Sequence, residues 1–442
     1  MKYFLPFHIP QGLAQDTFVV TALRSLARGT GFLIPFFIAA WFGISPETDA
    51  FFFVYGIVIY LTSVFADILE NFIVPYIVEL NSKREDVGAF IVTVSLYGLG
   101  SLLILCLLTL AFIRPALGVF TKFPPPSVEI IVQLFLEIMP LIIISPVTSV
   151  VSGALNACRR FNVPALSPAF RSLVTLAFIY VFKANWGVHA IPLGYALGEI
   201  VRLCALVITS QHSRLFRLKF FPRTTEPVKN FLKAVSYQAV GMLAVRFNPV
   251  INRAMASGLG DGAVSMLDYA DRVYAIPVAF FVQGFLVTVL SHWAVDYYKQ
   301  PTKAEFNSQV LRMCKTVFGL SLLVSLMVWI FSGTIVGVIY GGKQIDAAQV
   351  AAISRLLGFY ILGFVPLMVS MTLSNAFIVQ KRSVFLMITG LLNCFSNVIL
   401  NIILMKIMGL AGIALATTIV QFIFMIVFIV WFKNFSPLPR AT

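Results

Sequence analysis

Charged side chains are scarce in this chain of 442 residues: aspartate, glutamate, lysine and arginine together make up 11% of the sequence. A soluble globular domain carries about 25% of these residues, so the composition excludes an ordinary water-soluble protein. Hydrophobic residues make up 59% instead. The apolar stretches are too long for the roughly ten-residue alternating strands of an outer-membrane barrel. The sequence therefore predicts an all-α polytopic membrane protein.

Histidine and cysteine are also sparse, with four and five residues in the whole chain. Both types are dispersed, so neither a disulfide framework nor a metal cofactor is predicted. Basic residues outnumber acidic ones by 32 to 18, which gives a net charge of +14. They are spread over short loops between apolar stretches rather than gathered in one patch. This distribution argues against nucleic acid as a partner.

A glycine-rich stretch from Gly337 to Lys343, GVIYGGK, resembles a phosphate-binding loop but lacks its chemistry. Gln344 stands where a Mg²⁺-binding serine or threonine belongs, and the stretch ends an apolar span instead of following a strand. No polar region is long enough for a nucleotide-binding domain. The sequence thus predicts neither an ATP-driven pump nor an enzyme. An ion gradient or the membrane potential is the expected source of energy.

Twelve apolar segments are candidates for membrane spans, each near or above the roughly 20 residues that cross a bilayer. Basic residues concentrate in the loops after even-numbered segments, such as Lys83–Arg84, Arg159–Arg160 and Lys381–Arg382. By the positive-inside rule, this bias places those loops and both termini in the cytoplasm. The segments lie at about residues 18–43, 49–79, 89–113, 128–156, 168–184, 187–211, 231–258, 263–295, 310–341, 347–380, 384–406 and 409–433.

A basic connector divides the chain into two halves that look distantly related. Residues 212–230 form the longest basic loop, six spans precede it in residues 1–211, and six follow it in residues 231–442. Each half begins with a span that carries interior arginine. Two six-helix repeats with a cytoplasmic connector are a common transporter plan. The sequence therefore predicts two six-helix bundles around a central cavity.

Arginines inside the apolar spans are the most informative residues. A charged side chain at mid-bilayer costs at least ~2.5–3.5 kcal/mol, so such residues normally face a protein-lined or water-filled cavity. One interpretation is that they reach the interface or pair with interior acids, namely Asp67, Glu70, Asp268 and Asp271. The other is that they clamp a diphosphate, because the planar guanidinium donates two parallel hydrogen bonds to phosphate oxygens. The arginines concerned are Arg24, Arg28, Arg246, Arg253 and Arg272.

Acidic and amide side chains within the spans are candidates for gating or for ion coupling. Asp49 lies at the outer end of the second span, where capping of that helix is the first interpretation and an external gate the second. Asp67 and Glu70 lie inside the same span, as proton or cation sites or as partners of an arginine. Asn393 and Asn397 share one helix face and either hydrogen-bond between helices or ligate a coupling Na⁺. No cofactor beyond a coupling Na⁺ or H⁺ is expected.

Four stretches of the sequence resemble the MurJ/MviN-type lipid flippase family. The first runs from Thr48 to Pro75 and contains the residue runs TDAFF, Phe65–Ala66–Asp67 and Val74–Pro75. The others are GALNACRRFNVPALSP (Gly153–Pro168), VSMLDYADRVYAIP (Val264–Pro277) and GLAGIALATT (Gly409–Thr418). The resemblance covers nearly the whole chain. It implies the fold of the superfamily that also holds Wzx-type oligosaccharide flippases and MATE drug exporters. It also implies movement of an undecaprenyl-diphosphate-linked saccharide from the inner to the outer leaflet of the bacterial inner membrane.

Two arginines carry over from this resemblance: Arg28 matches the family's cavity arginine near the start of helix one, and Arg272 matches its eighth-helix arginine. The first two spans depart from the family pattern. Ile34–Pro35 stands in place of an Arg–Asp pair, Gly56 in place of a basic residue, and Thr62–Ser63 in place of an Arg–Arg pair. The departures imply a less cationic first half. They leave lipid II and a related lipid-linked glycan both open as the substrate.

These observations predict a flippase for a polyprenyl-diphosphate-linked saccharide, working by alternating access. Arg28, Arg253 and Arg272 would hold the diphosphate, with Arg24 and Arg246 nearer to the opening of the cavity. One alternative is a cation-coupled multidrug exporter, for which an acidic and aromatic cavity is expected. The other is a non-transporting scaffold that recruits enzymes of cell-envelope synthesis. Membrane lipids are the remaining expected partners.

Overall fold

A computed structural model gives the fold of the chain. It describes residues 11–83, 85–158, 160–212, 225–233, 235, 247–282, 303–342, 344–380 and 382–435. Some side chains inside the described helices, those of Arg24, Arg28 and Asp67 among them, lie outside this description, as does the whole of Arg246.

Every regular element in the described ranges is helical, as the apolar composition predicts. The first six α-helices are α1 (Gln11–Phe42), α2 (Pro46–Ser82), α3 (Val87–Phe120), α4 (Pro125–Ala157), α5 (Asn162–Trp186) and α6 (Ala190–His212). The later ones are α7 (Asn248–Ala256), α8 (Ala263–Phe280), α9 (Lys303–Ile330), α10 (Ser332–Tyr340), α11 (Ala347–Leu362), α12 (Phe364–Val379), α13 (Ser383–Met408) and α14 (Leu410–Phe435).

Seven helical stretches of the described chain are long and apolar enough to cross a membrane. The prediction of an all-α, multi-span membrane protein is confirmed. The number of twelve spans stays a prediction, because much of the predicted spans at 231–258 and 263–295 lies outside the described residues. Large apolar side chains face outward on α3, α9 and α13, as expected for helices in contact with lipid; examples are Phe112, Ile330 and Ile407.

Several helix ends are specified by local sequence. α2 begins with reciprocal bonds, in which the Thr48 N–H donates to Ser45 Oγ and the Ser45 N–H donates to Thr48 Oγ1. Asp346 and Gln349 form a capping box at the start of α11. α13 ends before Gly409, whose φ of 60° favours a residue without a Cβ. The helices therefore start and stop where side-chain chemistry satisfies their free backbone groups.

The chain divides into two compact units, and the division does not follow the midpoint of the sequence. One unit comprises Met1–Phe37, Ile57–Leu117 and Pro125–Leu243. The other comprises Ile38–Gly56, Gly118–Pro124 and Ala244–Thr442. The turn between α1 and α2 therefore belongs to the second unit, together with α7 and α8.

The first unit has a core of apolar residues on α2, α3 and α4. Aromatic rings of Tyr76 and Phe90 both contact Phe231, with ring centroids 5.2 and 5.8 Å away. α2 and α4 approach closely at Gly153, where an added Cβ would lie 2.7 Å from the Glu70 carbonyl oxygen. A glycine at this position lets two backbones meet, as is common between membrane helices.

The second unit contains a helix that is interrupted inside the predicted tenth span. α11 ends at Leu362 and α12 starts at Phe364, with Gly363 between them. Two carbonyls at the break accept hydroxyl groups from other helices: Phe359 from Thr418 at 2.6 Å, and Ile361 from Ser325 at 2.7 Å. Such bonds let an irregular backbone persist in an apolar surrounding.

Candidate anion-binding site

The second unit holds a buried carboxylate that binds two arginines. α8 places Asp268 and Arg272 four residues apart, hence on one face, and α7 supplies Arg253. Arg253 donates to Asp268 Oδ1 from Nε at 3.1 Å and also from Nη2. Arg272 donates from Nε to the other oxygen, Oδ2, at 3.1 Å. Each carboxylate oxygen thus serves one guanidinium.

The charges of this group do not cancel. Asp268 is 1% exposed and Arg253 is 8% exposed, so both are shielded from water. Two guanidinium groups and one carboxylate sum to +1. A neighbouring acid, Asp271, is partly exposed and interacts electrostatically with both arginines, so it lowers the positive charge around them when it is ionised. The guanidinium of Arg272 is the more accessible of the two, since its side chain is 21% exposed.

Two adjacent residues of α2 contact the two arginines. The Arg272 guanidinium carbon lies 5.4 Å from the centre of the Tyr55 ring, within the range of a cation–π interaction. Gly56 lies against Arg253, and an added Cβ at this glycine would be 2.8 Å from Nη1. Tyr55 was not singled out from the sequence, and Gly56 was noted only as standing in place of a basic residue of the family. An apolar span offers no local signal of which neighbour will receive a guanidinium.

Aromatic side chains connect α8 to α11 and α12. The Tyr274 ring stacks on the Tyr360 ring at 5.7 Å, and its edge meets Phe364 at 6.4 Å. Tyr360 lies three residues before the break at Gly363. Ring contacts therefore join α8, which carries Arg272, to the helix segments on both sides of the break.

Asp49 does not cap its own helix, so the first interpretation of this residue is wrong. Ser45 and Thr48 cap α2, whereas Asp49 accepts from the start of α8. The Gly262 N–H donates to Oδ2 at 2.7 Å, and Ser265 donates to Oδ1 through both its N–H at 2.7 Å and its hydroxyl at 2.5 Å. A negative carboxylate at a helix N-terminus is electrostatically favourable. Asp49 thus joins the first turn of α2 to the start of α8.

Buried tyrosines reinforce the same junction. The Tyr269 hydroxyl donates to the Gly43 carbonyl at 2.8 Å, and the Tyr340 hydroxyl donates to the Tyr269 carbonyl at 3.0 Å. The edge of the Phe52 ring meets the Tyr269 ring at 5.2 Å. Gly43 has a φ of 66°, which the tight α1–α2 turn requires.

The asparagines of α13 join a ladder of buried amides. Asn248 donates to Asn393 at 2.9 Å, which ties α7 to α13. Asn401 donates to Asn252 at 2.7 Å and to Asn397 at 3.1 Å. The Asn401 Oδ1 atom accepts no hydrogen bond within the described residues. Interhelical hydrogen bonding is therefore present, while Na⁺ ligation stays a prediction.

The first unit contains a second carboxylate shared by two arginines. Glu199 of α6 is fully buried and binds Arg171 of α5 and Arg202 of α6, each at 3.4 Å. Arg202 also donates to the Ser167 hydroxyl at 3.2 Å. This group joins α5 to α6. An acid with arginine three residues later is a signal that could have marked it in the sequence.

The other predicted site residues are placed as follows. Glu70 accepts a hydrogen bond from Asn156 of α4 at 3.0 Å, within the first unit. The side chains of Arg24, Arg28 and Asp67 lie outside the described residues, so their predicted roles stay predictions. The same holds for Arg246, which lies wholly outside them.

Known proteins resemble this chain over most of its length. Residues 38–437 match the family model described as lipid II flippase MurJ. The probable lipid II flippase MurJ of Buchnera aphidicola subsp. Acyrthosiphon pisum (strain APS) is 25% identical over 412 residues, covering 91% of this chain and 80% of the relative. That of Rhizobium tropici is 24% identical over 407 residues, covering 89% and 76%.

Solved structures share the fold. A lipid II flippase MurJ in an inward closed conformation has a TM-score of 0.80 and 21% identity, covering 93% of this chain and 87% of that chain. An inward-facing multidrug resistance MATE transporter of the MOP superfamily has a TM-score of 0.76 and 16% identity, covering 94% of each chain. The fold is therefore that of MurJ and MATE transporters. Since the family model matches 38–437, this chain belongs to the lipid II flippase MurJ family, a family of membrane transporters.

Proposed function

We propose that this chain moves an undecaprenyl-diphosphate-linked saccharide across the bacterial inner membrane, with both termini in the cytoplasm. Membership of the MurJ family supports a lipid-linked peptidoglycan precursor as the passenger. The observation that carries the proposal is the buried group of Arg253, Asp268 and Arg272, in which two cations share one anion. A net positive charge among apolar helices selects an anionic passenger.

In this proposal, Asp268 is an internal counter-ion that the substrate replaces. A diphosphate carries more negative charge and more acceptor oxygens than a carboxylate, so both guanidinium groups favour it. When the substrate leaves, Asp268 pairs again with Arg253 and Arg272, which avoids leaving two buried cations without an anion. Turnover further requires that the two states of the transporter hold the diphosphate with different affinity.

Among the gate and coupling residues, Asp49 is supported as a gate because three hydrogen bonds connect it to α8. Opening of the cavity at the outer end of α2 would break these hydrogen bonds, and closing would restore them. Asp67 and Glu70 are assigned as proton or cation sites, and Asn393 and Asn397 as ligands of a coupling Na⁺. Arg28 is assigned to the substrate path by the family resemblance. Arg24 and Arg246 are assigned to the opening of the cavity because they lie within apolar spans.

Two other functions make different demands on the site. A cation-coupled drug exporter would need acids that are free to bind a cation, whereas Asp268 is already bound by two arginines. A scaffold that recruits cell-envelope enzymes would not need the charged group at all. The charge of the buried group therefore favours flipping of a lipid-linked anion over both.

The test is translocation in proteoliposomes that carry fluorescent undecaprenyl-diphosphate saccharides, one of them lipid II and the other an oligosaccharide repeat unit. We expect Arg272→Ala and Arg28→Ala to abolish flipping. Arg114→Ala is the matched control, since Arg114 pairs with Glu129 at an exposed position. The lipid that is flipped faster identifies the class of substrate. If neither lipid moves under any ion gradient, the flippase function is wrong, and drug export and scaffolding are tested next.

A further inference from the structure

Gly56 on α2 lies in direct contact with Arg253. A Cβ added to this glycine would lie 2.8 Å from Nη1, 2.9 Å from Cδ and 3.1 Å from Cζ of the arginine. Non-bonded carbon atoms prefer about 3.5–4.0 Å. The arginine stem and its guanidinium therefore lie against α2 at Gly56. No side chain larger than hydrogen fits at position 56 without displacing them.

Gly56 is needed to leave room for Arg253, and not to allow an unusual backbone conformation. Positive φ angles occur at five described glycines, and Gly56 is not one of them. It lies in the body of α2, where glycine costs about 1 kcal/mol relative to alanine. The close approach of Arg253 is a physical reason for this otherwise unfavourable residue.

The neighbouring residue receives the second arginine. Tyr55 lies under the Arg272 guanidinium at 5.4 Å, while Gly56 lies under Arg253. Asp49 lies two turns earlier on α2, and its hydrogen bonds to the start of α8 fix the position of Tyr55 and Gly56 along α8. Two adjacent positions of α2 thus set where both guanidinium groups lie around Asp268.

We propose that Gly56 is a specificity-determining position of the substrate site, because its missing side chain admits the Arg253 guanidinium beside that of Arg272. The two groups together then recognise the paired phosphates of a lipid diphosphate, whereas one group suffices for a monophosphate. This inference rests on the proposed function. Gly56 positions Arg253 and does not contact the substrate.

A side chain at position 56 would act through Arg253 alone. Alanine would push the guanidinium away from Asp268 and from its place beside Arg272. Recognition of the diphosphate would weaken, because hydrogen bonds to charged groups depend steeply on geometry. Binding of a monophosphate would change less, since Arg272 keeps its contacts with Asp268 and Tyr55.

The experiment measures binding of undecaprenyl diphosphate and undecaprenyl monophosphate to the purified full chain in detergent, with undecaprenol as the uncharged reference. We expect Gly56→Ala to raise the Kd for the diphosphate about tenfold, which is the loss of roughly one hydrogen bond to a charged group. The Kd for the monophosphate should change less than threefold. Gly319→Ala is the matched control, since an added Cβ on that helical glycine meets nothing within 4 Å.

A double-mutant cycle assigns the effect to Arg253. Arg253→Ala should abolish the preference for diphosphate, and adding Gly56→Ala to it should change nothing further. Thermal unfolding of each variant shows whether it is folded. If Arg253→Ala does not fold, Arg253→Met replaces it in the cycle.

The outcomes separate this inference from the proposed function. If Gly56→Ala keeps the wild-type preference for diphosphate while Arg272→Ala loses binding, the role of Gly56 is refuted and the flippase function stands. An equal loss for both lipids would also refute it, because this pattern indicates general damage. If the wild type binds neither lipid better than undecaprenol, both proposals are wrong.

Discussion

Asp49 and Ser265 are 216 positions apart in the sequence, yet the carboxylate of the first accepts both the N–H and the hydroxyl of the second. Asp49 is 3% exposed, so these bonds are shielded from water. The contact makes an acid in the first turn of α2 the N-terminal cap of α8. The same helix then carries Asp268 and Arg272, so the cap and the anion site share one rigid element.

Asp49→Asn should destabilise the protein by about 1–3 kcal/mol, the range for leaving a buried hydrogen-bonding group unsatisfied. The amide nitrogen of asparagine would face an N–H group of Gly262 or Ser265, where an acceptor is needed. Thermal unfolding in detergent measures the loss. Asp261→Asn, at an exposed position beside the junction, is the control and should leave the melting temperature unchanged. Equal stability of the two variants would contradict the cap.

Asp268→Asn should bind undecaprenyl diphosphate more tightly and release it more slowly. The substitution removes the internal counter-ion, so the charge of the group rises from +1 to +2. The same change leaves two buried cations without their anion, which should lower stability by about 3 kcal/mol. Equilibrium binding and flipping rates, measured separately, distinguish the effects. Weaker binding by a folded variant would refute the counter-ion role of Asp268.

Asn401→Ala should lower the melting temperature equally in sodium and potassium buffers if the amide ladder serves packing alone. The Asn401 side chain donates to Asn252 and Asn397, and both acceptors would be left without this donor, at a cost of about 1–3 kcal/mol each. The comparison also tests the Na⁺ proposal for Asn397. A wild-type melting temperature that rises with sodium but not potassium, and an Asn401→Ala variant that lacks the rise, would assign Na⁺ to the ladder.

Gly198→Ala should separate α5 from α6 in the first unit. A Cβ at this position would lie 2.6 Å from the Arg171 carbonyl oxygen and 2.7 Å from Thr175 Oγ1. Overpacking of this kind costs about 1–3 kcal/mol. Gly100→Ala is the control, since its Cβ meets nothing within 4 Å and alanine is the better helix former. The prediction is wrong if both variants unfold at the wild-type temperature.

The arginines illustrate how far sequence reasoning reaches. A guanidinium within an apolar span signals a protein-lined or polar surrounding, and this argument pointed to Arg253 and Arg272. It left open whether these arginines pair with an acid or bind a ligand. In the structure both arginines form ion pairs with Asp268, because α7 and α8 bring the three side chains together. The role of Gly56 was beyond sequence reasoning, because a glycine in a helix does not show what lies against it.

Composition, apolar run length and motif order determined the class of this protein by themselves: an all-α membrane protein of the MurJ family. These properties are local, because burial in lipid and helix formation depend on the residues of one span at a time. Only the tertiary structure decided the partners of Asp49, Asp268, Gly56 and Glu199. Hydrogen bonds and ion pairs act over a few ångströms, so the packing of distant helices determines which charges meet.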